Sequence, residues 1–373
     1  MTWRIENARL PGQTQLVNVA VAAPGDDAEE QVFDAQGKLV LPSFAELHTH
    51  LDKTYSPIPS HDGGLIGAIN AHQSVRNQQT VTQVIERAEV ALRRASRHGI
   101  TALRSHVNSR SDQDLEIFDG LLELKAKYEP MIDLQFVAMG SLAKGQMKCL
   151  EEALAKGADL VGGAPSLEQD PQASVDAALD LAKALAVGLD LHMDEHARPE
   201  AVALKALAMG VLEKEFTGEV CASHCASLSC LPADEFHELT RLLATAKVSV
   251  IGLPICNLVL LHSAVQPRSA VTAPLFELED LGVLTAVGSD NVSDPFNPYG
   301  DYSPLLNLQV SNLLNSNLQV ASIADSLKFI TSNAKQIFYG AKRDDYALGD
   351  WVVIDSTDAY AAVARPAEPI ATF

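Results

Sequence analysis

The stretch Leu39-Val40-Leu41-Pro42-Ser43-Phe44-Ala45-Glu46-Leu47-His48-Thr49-His50-Leu51-Asp52-Lys53 decides how the chain is read. An apolar, strand-like run leads into two histidines one residue apart. In an extended chain residues i and i+2 project from the same face, so His48 and His50 can reach one ion together. Two ligands do not complete a site, and the remaining His, Asp or Glu must come from the ends of other strands.

Working outward, residues 39–47, 99–106, 132–139, 158–164, 188–193, 218–224, 247–255 and 283–289 read as strands rich in Val, Ile and Leu. Between them, 80–97, 114–127, 147–156, 173–186, 200–209 and 233–246 carry apolar residues at three- and four-residue spacing, the pattern of amphipathic helices. After the seventh strand only 274–280 offers a short helix, which makes this the weakest unit. Eight strands alternating with helices over roughly 250 residues predict a (β/α)8 barrel. A doubly wound open sheet is the alternative; it calls for a G-x-G-x-x-G turn, which Val161-Gly162-Gly163-Ala164 does not supply.

Outside the barrel, short β-like runs at 3–5, 16–21 and 32–33, with an acidic turn at 25–30, predict a small sheet. Two helical stretches, 303–318 and 321–339, precede a strand at 347–355 that can pair with the N-terminal strands. The expected organisation is therefore 1–40 plus 345–373 as a small β-sandwich domain and 41–344 as the barrel.

Composition narrows the function. Lys+Arg 28 against Asp+Glu 48 gives a net charge of −20 and a pI near 4.9. Such a field repels nucleic-acid backbones and anionic membranes and leaves a small-molecule substrate as the expected partner. Five cysteines do not suggest a secreted disulfide framework, and Met1 to Glu6 lacks the basic and apolar regions of a signal peptide. The most apolar segment, 248–261, is too short to span a bilayer. A cytoplasmic protein is expected.

In a barrel, functional groups gather at the C-terminal ends of the strands. The fifth predicted strand ends His192-Met193-Asp194-Glu195, the sixth ends Ser223-His224, and the eighth ends Ser289-Asp290-Asn291. Imidazole and carboxylate ligands without thiolate suit Zn2+ or Fe2+, and three or four such ligands with an open position make a catalytic site. The ion would lower the pKa of a water toward neutrality and supply hydroxide. Glu195 lies close enough to shuttle protons. A rival metal site from Cys221, His224, Cys225 and Cys230 lacks paired C-x2–4-C elements, and Cys221 and His224 would face opposite ways on a strand. Each group also has a plainer reading: a rim histidine, or, for Asp290, a helix cap.

The segments His48 to Lys53, His192 to Glu195, Ser223-His224 and Ser289 to Phe296 resemble the amidohydrolase superfamily, and within it the cytosine deaminase group. Leu134-Gln135-Phe136-Val137-Ala138 and 157–163 look like that group too. The resemblance implies that His48, His50, His192 and Asp290 are metal ligands. It implies that Glu195 is the general acid/base that protonates a ring nitrogen, that His224 orients the attacking hydroxide, and that Glu195, or the pair His224 and Asp290, passes a proton to the leaving nitrogen. Ala164-Pro165-Ser166 stands where binuclear relatives end the fourth strand with a lysine, so one ion is expected.

The departures concern the substrate. Met139-Gly140-Ser141 replaces the glutamine expected past the third strand, Asn291 replaces a second Asp, and Phe296 replaces a Trp. Lys53 resembles the triazine side-chain hydrolases. Lys53, Ser141, Asn291 and Phe296 are therefore the expected substrate contacts. The C-terminal run from Ala364 to Phe373 lacks the family's closing hairpin, as in a trimmed or incomplete sandwich. The resemblance implies a hydrolytic deaminase of a cytosine-like or related amino-substituted heterocycle, releasing ammonia. Hydrolysis of an N-substituted amino-triazine or of a cyclic amide is one alternative, and a non-catalytic assembly protein on the same fold is the other. A homo-oligomer is compatible with this fold.

Overall fold

The apolar run before His48 serves two sheets, dividing at Ser43. The computed structural model describes residues 2–21, 30–261, 271–340 and 350–373. The small strands are β1 (Thr2–Ala8), β2 (Val17–Val21), β3 (Glu30–Asp34) and β4 (Leu39–Pro42). The eight that follow are β5 (Phe44–Thr49), β6 (Ile100–Asn108), β7 (Asp133–Met139), β8 (Leu160–Gly163), β9 (Gly188–Met193), β10 (Val220–His224), β11 (Ser249–Gly252) and β12 (Thr285–Val287). Near the C-terminus lie β13 (Trp351–Ile354) and β14 (Pro369–Thr372). The acidic turn at 25–29 and residues 347–349 fall outside the described residues.

Strands β5 to β12 form one sheet in sequence order, each parallel to the next. Sequence order throughout rules out the doubly wound sheet, whose strand order reverses at a switch point. The sheet curls until its edges meet: Thr49 bridges Asp290 in parallel fashion, and the Asp290 N–H donates to the His48 carbonyl at 2.7 Å. This is the (β/α)8 barrel, with its closing seam between two ligand-bearing segments.

The connecting helices are α1 (Gly64–Arg76), α2 (Val81–Arg97), α3 (Asp112–Tyr128), α4 (Lys148–Lys156), α5 (Pro171–Leu185), α6 (Val202–Glu213), α7 (Ala233–Ala246), α8 (Pro254–Leu260) and α9 (Leu275–Asp280). After the barrel come α10 (Pro304–Leu314), α11 (Val320–Asp325), α12 (Ser332–Tyr339) and α13 (Ala359–Ala364). Their starts carry caps in the expected places: Thr80 and Gln83 form a reciprocal capping box on α2, and Asp170 caps α5. Two helices occupy the weak unit after β11, where only the second was expected. No described helix is long and apolar enough to cross a membrane.

Helix α12 packs across the N-terminal end of the barrel. Its Ala334, Ile337 and Phe338 join Ala45, Leu47, Ala102, Ile251 and Ala286 in one buried cluster, and Gln135 donates to the Phe338 carbonyl at 2.9 Å. The opposite end is left for the site. Outside the barrel stand two three-stranded sheets, β2-β1-β3 and β14-β13-β4. They share a core of Ile5, Val19, Val21, Val40 and Val353, with the Phe373 ring against Trp3 and Phe33. N- and C-terminal segments thus build the small β structure together, and β4 carries it two residues beyond the expected boundary at 40.

Candidate active site

The C-terminal barrel ends bring the candidate ligands together. Pairing of β5 with β6 slips by one residue, Glu46 lying opposite Leu103 and Thr49 opposite Ser105. Such bulges re-aim side chains and recur beside active sites. Beyond the slip, His50 Nε2 lies 3.2 Å and His48 Nε2 3.5 Å from Asp290 Oδ1, and His192 Nε2 lies 3.3 Å from His50 Nε2. His224 closes the group, its Nε2 3.8 Å from Asp290 Oδ2. His224 and Asp290 both adopt left-handed backbone, at φ 67° and 60°. That conformation is uncommon for residues with a Cβ and is typically held in place at functional sites.

The seam that closes the barrel also holds this cluster. The buried Glu46 carboxyl accepts the His48 N–H at 3.0 Å and the Ser289 N–H at 3.0 Å, and it takes the Ser289 hydroxyl as well. One side chain thereby ties the residue before Asp290 to the strand that bears both histidines. Burial raises the Glu46 carboxyl to about 7.

Desolvation sets the protonation states. Burial pushes His48 down to about 4 and His224 to about 3, and it holds His50 and His192 well below the ordinary imidazole value. Neutral imidazoles have lone pairs to offer. Burial alone would raise Asp290, but His224, His48 and His50 outweigh it and hold the carboxyl well below its usual range. His48 Nε2 and both Asp290 carboxylate oxygens are buried without a hydrogen-bond partner. Buried polar atoms are rarely left so, and a cation among them would supply the missing partner. Ligand atoms of His48, His50, His192 and Asp290 lie within 4.8 Å of one another, close enough to hold one metal ion. At the end of β8, Ala164-Pro165-Ser166 offers no lysine for a second.

Glu195 follows β9, its side chain 10% exposed and 3.6 Å from His224 Nδ1. Burial raises its carboxyl well above the usual value, and the charge of Asp290 adds to this. Asn257, on α8, sits 3.0 Å from the same His224 nitrogen.

His106 was not among the expected residues. It lies fully buried two residues before the end of β6, with its ring 3.9 Å from that of His48 and its Nε2 3.5 Å from Asp190 Oδ1. Asp190 also accepts from Arg104 at 3.0 Å and from Ser223 at 2.8 Å. A buried polar layer therefore underlies the ligand cluster. The one available signal was position, since His106 ends the run 99–106 read as a strand in the sequence, as His224 ends 218–224.

Beside the cluster is a cavity of about 180 Å³ for water centres, lined by His50, His192, Glu195, His224 and Asp290. Lys53, Asn291 and Phe296 also line it. Ser141 does not: its hydroxyl reaches Glu168 Oε1 at 3.1 Å, and the residue of β7 that faces the cavity is Met139. The correction follows from β7 ending at Met139, after which the chain turns away. Residues 64–76 form helix α1, whose Leu65, Ile69 and His72 contribute to the cavity wall. A second cavity shares Leu65, Leu167, His192 and Glu195 and continues over Ile66, Leu260 and Leu261.

Barrel, ligand cluster and buried carboxyl define a hydrolase of the amidohydrolase type. Residues 60–359 match the amidohydrolase family, and the chain belongs to it. The match starts past His48 and His50, whose placement rests on the geometry above. The chain is 35% identical over 295 residues to the pterin deaminase of Rhizobium rhizogenes, covering 77% of this chain and 67% of that protein. It is 24% identical over 300 residues to the N-isopropylammelide isopropyl amidohydrolase of a Pseudomonas species, covering 76% and 70%. Among solved structures, the 5-methylcytosine deaminase of Klebsiella pneumoniae, liganded with 5-fluorocytosine, superposes with a TM-score of 0.90 at 25% identity, covering 99% of this chain and 95% of that one.

Proposed function

We propose that the protein is a metal-dependent hydrolytic deaminase of an amino-substituted nitrogen heterocycle of the pterin or cytosine kind. The observation that carries this reading is Glu195, a buried carboxyl with a raised pKa, whose Oε1 has no hydrogen-bond partner and which lines the cavity beside the ligand cluster. His48, His50, His192 and Asp290 would hold one divalent ion, Zn2+ or Fe2+, since both suit this donor set. When bound, the ion supplies the Lewis acidity that lets water act as a nucleophile near neutral pH.

The residues do the rest. His224 holds the attacking oxygen over the ring carbon that bears the amine. Glu195 gives its proton to the adjacent ring nitrogen as the carbon–oxygen bond forms, and the water's proton passes to the carboxylate left behind. Glu195 then protonates the exocyclic nitrogen, the carbon–nitrogen bond breaks, and ammonia leaves. The hydroxyl proton returns to Glu195 as the carbonyl forms. Helix α1 and the apolar wall keep bulk water out. Asn291, held by Asp294 at 2.5 Å, and Phe296 offer an amide and an aromatic face to a planar ring. All five cysteines are unpaired, which fits the reducing cytoplasm.

A second reading keeps the chemistry and changes the leaving group. The cavity that runs from Glu195 over Leu65, Ile66, Leu260 and Leu261 has the character to take an alkyl substituent on the amine. A release screen over pterin, cytosine, isocytosine, amino-triazines and their N-alkyl derivatives separates the two. Ammonia from an unsubstituted ring supports the first reading, alkylamine alone supports the second, and release of neither refutes both.

A further inference from the structure

One wall of the cavity carries positive charge that the proposed chemistry does not use. Lys53 is 4% exposed, lines the cavity, and forms no ion pair among the described residues. Its one close partner is His50 Nδ1, at 2.9 Å. That nitrogen also lies 3.2 Å from the His106 carbonyl, the acceptor that orients a histidine whose Nε2 is a ligand. A single ring nitrogen cannot donate to His106 and accept from Lys53, so the ligand form of His50 leaves the ammonium without an acceptor. A buried charge in that condition is costly unless something else pairs with it.

The carboxyls around Lys53 do not provide the pairing. Asp52 accepts the Asn108 N–H at 3.1 Å, and Asp294 accepts from the Asn291 amide at 2.5 Å and from the Phe296 N–H at 2.8 Å. Lys53 stands 5.4 Å from the centre of the Phe296 ring, and His72 packs 5.7 Å from that ring on its α1 side. Both His72 nitrogens are buried without a partner, and the residue is 7% exposed. Burial, followed by the charges of Lys53, Arg76, Arg87 and Arg110, drives His72 down to about 3. Lys53, His72 and Arg110 line the same cavity, and Arg76 is the third cation on that wall.

Two of them differ in how they are engaged at the cavity. Arg76 is committed to Asp114, which it meets at 2.9 and 2.5 Å. Arg110 lines the cavity with only its backbone N–H bonded to Asp114, and its guanidinium forms no ion pair among the described residues. With Arg76 and Asp114 cancelling, Lys53 and Arg110 leave this wall positive in a chain whose net charge is −20.

We propose that Lys53, His72 and Arg110 form an anion subsite, and that the ring taken by this enzyme carries a carboxylate. A planar oxyanion matches the guanidinium fork and accepts from the ammonium and the imidazole together. Arg110, on the open side, sets the preference for the acid. This assignment rests on the deaminase reading for the ring itself.

The test compares each ring with its carboxylated form, pterin with carboxypterin and cytosine with carboxycytosine, bound to full-length, metal-loaded Glu195→Gln protein by calorimetry. At least one carboxylated ring is expected to bind about tenfold or more tighter than its parent, and Arg110→Gln in the same background is expected to bring that ratio close to one. Benzoate is expected to displace the acid at concentrations where inorganic phosphate does not. Equal binding of acid and parent, binding of neither, a ratio unchanged by Arg110→Gln, or displacement by phosphate alone overturns the subsite. Failure of the deaminase reading shows separately, as absence of amine release by the unsubstituted enzyme.

Discussion

Replacing Glu195 by glutamine isolates the proton that the proposed chemistry needs. The native carboxyl is buried, has a pKa raised well above the usual carboxyl value, and has an Oε1 with no hydrogen-bond partner. Glutamine matches it in size and neutrality and can still donate a hydrogen bond, so folding and the ligand cluster should be undisturbed. What disappears is the transferable proton. Removing a positioned acid/base typically lowers the rate by about 10²–10⁴, which at 1.36 kcal/mol per decade is about 2.7–5.4 kcal/mol of transition-state stabilisation. Steady-state ammonia release gives kcat, and elemental analysis of the same preparation gives metal per chain. The expected result is a kcat lower by two to four decades with metal content at the level of the unsubstituted enzyme. Full activity would refute the role given to Glu195, and lost metal would show that the residue belongs to the ligand set.

Three further outcomes follow from the same geometry. Because Glu195 must start the cycle protonated and its pKa is raised well above 4.5, kcat/KM should hold at pH below the raised value and fall as pH rises through it; a fall centred at the ordinary carboxylate pH would contradict this. His48→Ala removes one ligand from the cluster, and purified protein is expected to retain its fold by circular dichroism while binding little metal; full metal content would contradict the ligand assignment. A Cβ at Gly288 would sit 2.8 Å from Glu46 Oε1 and 3.3 Å from His48 Cβ, so Gly288→Ala should cost about 1–3 kcal/mol in denaturant unfolding and weaken metal binding. Unchanged stability and metal affinity would remove the seam from the account.

The barrel is legible in the chain because its strands are apolar and are followed by helices of regular period. The run 39–47 misleads for the same reason. Leu39-Val40-Leu41 and the Phe44-Ala45 start of the next strand are alike apolar and buried, so nothing in residue type marks that the first pairs with Trp351–Ile354 and the second with β6. Helix α1 escapes because it begins at a glycine pair and carries a weak apolar stripe, and α8 because its apolar residues continue the run of β11. Within the site, His48, His50, His192, His224 and Asp290 are recognisable from strand-end position. His106 and Asn257 act by stacking and hydrogen bonding, which impose no spacing on the sequence. Ser141 shows the converse limit: position after a strand points to the cavity only if the strand ends where expected, and β7 gives that place to Met139.

The most direct test is a titration of metal into chelator-stripped protein, following ammonia release from an aminated heterocycle that the enzyme accepts. The account predicts no release without metal and a linear rise to a plateau at one ion per chain. Release that is independent of added metal, or a plateau that requires two ions, would contradict it.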